Sequence, residues 1–179
     1  MTGVWAVVLA AGAASRFGSP KQRLLLEPVL ERVRRSSVGD NVVVVLGAHE
    51  LDTSARTVHC PEWERGPGAS LRCGLAALPS DAEAAVVVLA DGPRLAPEAI
   101  DRVIASWHET ETPVVAASYG GVRLHPVLLA REAWAAIPDK GARTLDAVLV
   151  PCDDLESPGD VDFADELPED VTSWSSRDP

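Results

Sequence analysis

The sequence predicts an α/β domain of three layers, with helices on both faces of a mostly parallel sheet. Short Val-rich runs alternate with segments of helical period, the pattern of βαβ units. Two runs, Asn41 to Leu46 and Ala84 to Ala90, are almost continuously apolar, as strands covered on both faces are. Charged or glycine-bearing loops follow the first and third runs, where open α/β sheets bind ligands. A length of 179 residues suits one domain, residues 1–179, with no linker or internal repeat.

In chain order, Trp5 to Ala10 is the first strand. Pro28 to Ser36 sets Val29, Leu30 and Val33 against Glu31, Arg32 and Arg35, which predicts a helix opening at the proline. Asn41 to Leu46 is the second strand, and Arg56 to His59 a short edge strand. Gly68 to Leu78 repeats Leu71, Leu75 and Leu78 at helical spacing. Ala84 to Ala90 is a buried strand that stops at the turn Asp91-Gly92-Pro93. Pro97 suits the first turn of a helix running to about Glu109. Pro113 to Ala117 and Pro126 to Leu129 are strands around the turn Tyr119-Gly120-Gly121. Arg131 to Ile137 and Thr144 to Leu149 are expected to be helices, and the acidic remainder mostly loop.

Composition narrows the function class. No apolar run approaches the ~20 residues of a membrane span, and the N-terminal stretch lacks the basic start of a secretory leader, so a cytoplasmic location is expected. Cys60, Cys73 and Cys152 form no CxxC or Cys/His pattern and are expected to be reduced, structural thiols. The net charge of -11 argues against a nucleic-acid partner. Nine acids fall between Asp153 and Asp170, where there is no Lys or Arg. The remaining 18 acids face 16 basic residues, so the body of the domain has room for a local basic pocket.

The loop after the first strand, Ala10 to Lys21, combines Gly12 and Gly18 with Arg16 and Lys21. Small residues let backbone N–H groups approach an anion while the side chains add positive charge, so phosphate is the natural guest. It is neither a Walker A loop nor GxGxxG. Gly68 and Ser70 open a helix, where they serve either a ligand or simple capping.

Residues 9–21, LAAGAASRFGSPK, are similar to the signature LAAGxSxRxGxxK of the MobA-like nucleotidyltransferases, most nearly the molybdenum cofactor cytidylyltransferases. The likeness continues through residues 67–75, 90–93, 123–128 and 141–143, and so spans most of the chain. It implies a Rossmann-like sheet of the nucleotide-diphospho-sugar transferase type. It also implies Leu9, Ala10, Ala11, Gly12, Ser15, Gly18, Gly68 and Ser70 against the nucleotide, Arg16 on the phosphates that leave, and Lys21 on the α-phosphate. Asp91, whose other role would be to cap its turn, and Asp162 of Asp160-Val161-Asp162 would bind Mg²⁺ or Mn²⁺. His125 and Arg123 would border the acceptor.

The implied reaction moves CMP from CTP to the terminal phosphate of molybdopterin and releases pyrophosphate, with a molybdoenzyme or its chaperone as partner. CTP is implied over GTP by Ala10-Ala11 and Phe17, where guanylyltransferases show LAGG and Met. Three departures bear on the acceptor. The segment Gln22 to Pro28 is shortened, Gly92 stands in place of Gln, and Leu124 stands in place of Gly. The alternatives are a guanylyltransferase, a related transferase with another phosphorylated acceptor, and a non-catalytic nucleotide-binding module. A dehydrogenase is set aside because the glycine spacing is wrong.

Overall fold

A computed structural model describes residues 3–12 and 22–159. Its strands are β1 (Val4–Ala10), β2 (Val42–Leu46), β3 (Arg56–His59), β4 (Ala84–Leu89), β5 (Val114–Tyr119), β6 (Val122–Ala130) and β7 (Val148–Pro151). They form one sheet in the order β3-β2-β1-β4-β6-β5-β7. β1 pairs in parallel with β2 and β4, β2 with β3, and β5 with β7; β6 alone runs against its neighbours β4 and β5.

The strand alternation divides the core in two. Ala6 and Val8 of β1, Val44 of β2 and Val86 of β4 point into the layer beneath helices α1 (Gln22–Arg34) and α3 (Pro97–Thr110). Val7, Val43, Val45, Ala85 and Val87 point to the opposite face, covered by α2 (Pro67–Ala76). The apolar runs in the sequence therefore mark strands with a helix layer on each side. Among the described residues no helix is long and apolar enough to cross a membrane.

Three elements differ from expectation. Helix α1 begins at Gln22, with Pro28 inside it. Leu25 and Leu26 are buried on the same side as Val29, Leu30 and Val33, so the apolar stripe extends upstream of the proline. Burying each such side chain contributes about 1.5–3 kcal/mol, which offsets the ~3 kcal/mol cost of an interior proline. Arg131–Ala136 forms a 3-10 helix in place of an α-helix. The helix expected over Thr144 to Leu149 is a 3-10 turn, Ala142–Thr144, followed by strand β7. There Val148, Leu149 and Val150 pair with Val115, Ala116 and Ala117 of β5, and β-branched residues suit a strand.

The cysteine expectation is also corrected. Cys60 and Cys73 are joined in a disulfide, with Cα atoms 5.7 Å apart, and Cys152 is a buried free thiol. Cys60 follows β3 and Cys73 lies midway along α2. Only the packing of α2 beside the strand ends brings them together, which sequence spacing does not reveal.

Candidate active site

The exits of β1, β2 and β4 lie side by side. The Ala90 N–H donates to the Leu9 carbonyl at 3.0 Å, and the Ala48 N–H to the Ala11 carbonyl at 3.1 Å. A Cβ on Gly47 would meet the Ala11 carbonyl oxygen at 2.6 Å and Trp63 at 2.7 Å, so glycine is what lets these loops close up. Ala10 and Ala11 are buried where β1 ends, while Gly12 is exposed at the start of the first loop. Trp63 is occupied in packing on Gly47 and the adjoining core.

Because β6 is antiparallel to β4, its first residues reach the same end of the sheet as Asp91. The Gly120-Gly121 turn, with φ of 58° and 76°, reverses the chain in two residues and delivers Arg123, Leu124 and His125 there. Burial pushes the His125 imidazole down to a pKa of about 4. The Asp91 carboxylate opposes that lowering, whereas Arg143 and Arg123 add to it. His125 is therefore neutral at pH 7, with one ring nitrogen able to donate and the other to accept.

A cavity of about 380 Å³ opens on the α2 face of the sheet. Its floor is Leu9, Val87, Leu89 and Val127; Pro67 and Leu71 of α2 form one wall, and residues 123–125 with residues 140–143 form the others. Arg123, Lys140 and Arg143 give it a cationic rim. Arg123 is itself engaged, donating to the Leu145 carbonyl at 2.6 Å and the Ala142 carbonyl at 3.0 Å. Leu124, 39% exposed, lies in the wall where glycine was the family expectation.

Residues 6–153 match the MobA-like NTP transferase domain. The chain belongs to this family. No curated protein sequence matches it. Rv0371c from Mycobacterium tuberculosis H37Rv is 28% identical over 92% of this chain and 94% of its own, with a TM-score of 0.75. A second structure of Rv0371c, in complex with manganese, is 24% identical over 97% of each chain, with a TM-score of 0.64. An Rv0371c homolog from Mycobacterium sp. strain JC1 is 24% identical over 97% and 98%, with a TM-score of 0.76. Molybdopterin-guanine dinucleotide biosynthesis protein A from Archaeoglobus fulgidus shares the fold at 17% identity, over 97% and 99%, with a TM-score of 0.66.

In this MobA-like domain the structure brings together Leu9, Ala10, Ala11, Gly12, Asp91, Arg123 and His125 at one end of the sheet. Ser15, Arg16, Gly18, Lys21 and Asp162 lie outside the described residues. Ser70 is buried in α2. The Gly68 N–H donates to the Asp139 carbonyl at 2.9 Å, and a Cβ there would stand 1.8 Å from the Pro138 carbonyl oxygen. In this arrangement Gly68 serves the close approach of residues 138–139. Lys140 was not singled out from the sequence, and Arg143 only as part of a motif. Their signal is a pair of cations flanking a glycine, visible once that loop is seen to face the cavity.

Among the described residues no group of three or more His, Cys, Asp or Glu is placed to hold a metal ion. Mg²⁺ at a phosphate site takes only one or two carboxylates and completes its shell with water and phosphate oxygens, so Asp91 at the β4 exit fits as one ligand. Pro158 and Gly159 lie against Gly92, with the Pro158 carbonyl accepting the Arg94 N–H at 3.0 Å.

Proposed function

We propose that the chain transfers CMP from CTP to the terminal phosphate of a molybdopterin-type cofactor, releasing pyrophosphate. Family membership supports nucleotidyl transfer. The observation that supports an anionic acceptor is the cavity rimmed by Arg123, Lys140 and Arg143, directly beside the β1 and β4 exits. Its volume of about 380 Å³ suits a small phosphorylated molecule. CTP rests on Ala10-Ala11 and Phe17.

In this reading the nucleotide phosphates lie along the first loop, with the exposed Gly12 allowing close backbone approach. An acceptor phosphate oxygen, steered by Lys140 and Arg143, forms its bond to the α-phosphorus as the bond to the β-phosphate bridging oxygen breaks. Pyrophosphate takes the electron pair. Lys21 neutralises charge on the transferring group and Arg16 on the leaving group. Asp91 and Asp162 would hold Mg²⁺ or Mn²⁺, which would supply further charge neutralisation when bound; the manganese complex of Rv0371c supports a divalent ion in this role. His125 stays neutral beside Asp91. A molybdoenzyme or its chaperone would take the product.

The test is pyrophosphate release with Mg²⁺, molybdopterin, and CTP or GTP. Release that requires both CTP and molybdopterin is the expected result, and faster turnover with GTP would replace the cytidylyl assignment. Nucleotide binding without release under any condition would make the protein a binding module. Lys21→Ala is expected to lower kcat by about 10²–10³, as losses of preorganised charge-stabilising groups do; unchanged turnover would remove Lys21 from the mechanism.

A further inference from the structure

The segment carrying Lys140 and Arg143 has no regular structure apart from the 3-10 turn Ala142–Thr144, yet it is tied down at both ends. At its far end Arg123 holds the Ala142 and Leu145 carbonyls. At its near end the ties to α2 and the turn before it centre on Asp139. Its carboxylate takes Arg72 of α2 on one oxygen and Arg65, from the turn before α2, on the other at 3.3 Å. Its carbonyl accepts the Gly68 N–H, Arg72 also donates to the Ile137 carbonyl at 2.8 Å, and the Gly141 N–H closes back on Pro138 at 2.9 Å.

These contacts are more than a half-exposed ion pair needs for stability, since such pairs contribute little. Their arrangement explains them better. Arg65 and Arg72 stand on the helix side of Asp139, and Lys140 and Arg143 on the cavity side. Among the described residues no ion pair engages Lys140 or Arg143. Arg65 keeps Glu62 at 3.0 Å, but without the Asp139 charge Arg72, Lys140 and Arg143 would lose the carboxylate between them, and the loop would lose its ionic tie to α2.

We propose that Asp139 is a positioning residue for the acceptor. By bridging Arg65 and Arg72 it seats the 138–143 loop on the first turn of α2, and so sets Lys140 and Arg143 at the distance at which they receive an anionic group. This rests on the proposed function only in identifying that group as the acceptor's phosphate; the seating of the loop and its affinity for an anion do not depend on it.

Two measurements test the proposal. In steady-state assays, Asp139→Asn is expected to raise KM for molybdopterin by on the order of tenfold, the effect of a small misplacement of binding groups, with KM for CTP within about twofold. Asp139→Glu, which keeps the charge, should recover most of the loss. A merely structural role would move both KM values together or neither, and either result overturns the proposal. Independently of turnover, inorganic orthophosphate is titrated into the whole protein while the backbone amide signals of Gly141 and Arg143 are followed. Wild type should titrate, with Asp139→Asn and the milder Arg65→Gln weaker. Identical titrations, or no response of these amides in wild type, overturn the proposal. Normal titration differences without any CTP-dependent turnover would instead sink the proposed function and leave Asp139 in its role.

Discussion

His125 shows how much one residue's surroundings decide. Its pKa of about 4 in the fold lies below the 6.5 of an unperturbed histidine. Between those values the unfolded chain binds a proton that the folded chain does not, so stability falls as pH drops from about 6.5 towards 4; below that window this group has no further effect. Asp139 and Asp154, whose carboxyls are held below their ordinary range by Arg72 and Arg102, lose their contribution only at more acid pH. Urea unfolding at pH 7 and pH 5 should therefore show a loss that His125→Gln reduces; an equal loss in the variant would assign it elsewhere. The sequence offered His125 for the site through the family resemblance of residues 123–128. Asp139 offered nothing of the kind: it is one acid among 27 acidic residues, and only the approach of its loop to α2 gives it two guanidinium partners.

Among the elements, those with a strong period were legible and those fixed by a partner were not. The stripes of α2 and α3 and the apolar runs of β2 and β4 can be read from spacing alone. Strand β7 cannot, because four residues with half-exposed side chains take extended form through pairing with β5. The start of α1 was hidden by Pro28, whose local preference is overridden by Leu25 and Leu26 entering the core. The disulfide belongs to this scale as well. Cys60 and Cys73 are 13 residues apart and close a loop that contains the start of α2. A closed loop of about 15 residues stabilises by roughly 3 kcal/mol through restriction of the unfolded chain. At about 2–4 °C per kcal/mol for a domain of this size, reduction with a dithiol should lower Tm by roughly 6–12 °C. Calorimetry with and without reductant checks this, and a Tm that does not move would mean that the two thiols are not joined in solution.

For the whole molecule, the antiparallel strand is what makes one site out of two halves. An all-parallel sheet would send residues 123–125 to the end remote from Asp91; β6, inserted between β4 and β5 in reverse, returns them to the exits of β1 and β4. The turn that forces this, Gly120-Gly121, was visible in the sequence, but the insertion of β6 beside β4 depends on long-range pairing of Val86 with Leu128 and Val87 with Val127. The nucleotide and the acceptor are thereby expected to meet over a rigid sheet, with nucleotide binding stabilising the whole domain. A ligand that binds only the folded state adds RT ln(1 + [L]/Kd), about 2.7 kcal/mol at one hundred times Kd, which is roughly 5–11 °C in Tm. With Mg²⁺ present, CTP should give this shift and GTP a smaller one. Asp91→Asn, which removes the carboxylate charge proposed to bind the metal at the β4 exit, should abolish the Mg²⁺-dependent part of the CTP shift and leave the unliganded Tm close to wild type. If CTP and GTP stabilise equally, the base assignment drawn from Ala10-Ala11 and Phe17 falls; if Asp91→Asn keeps the Mg²⁺-dependent shift, the metal lies elsewhere.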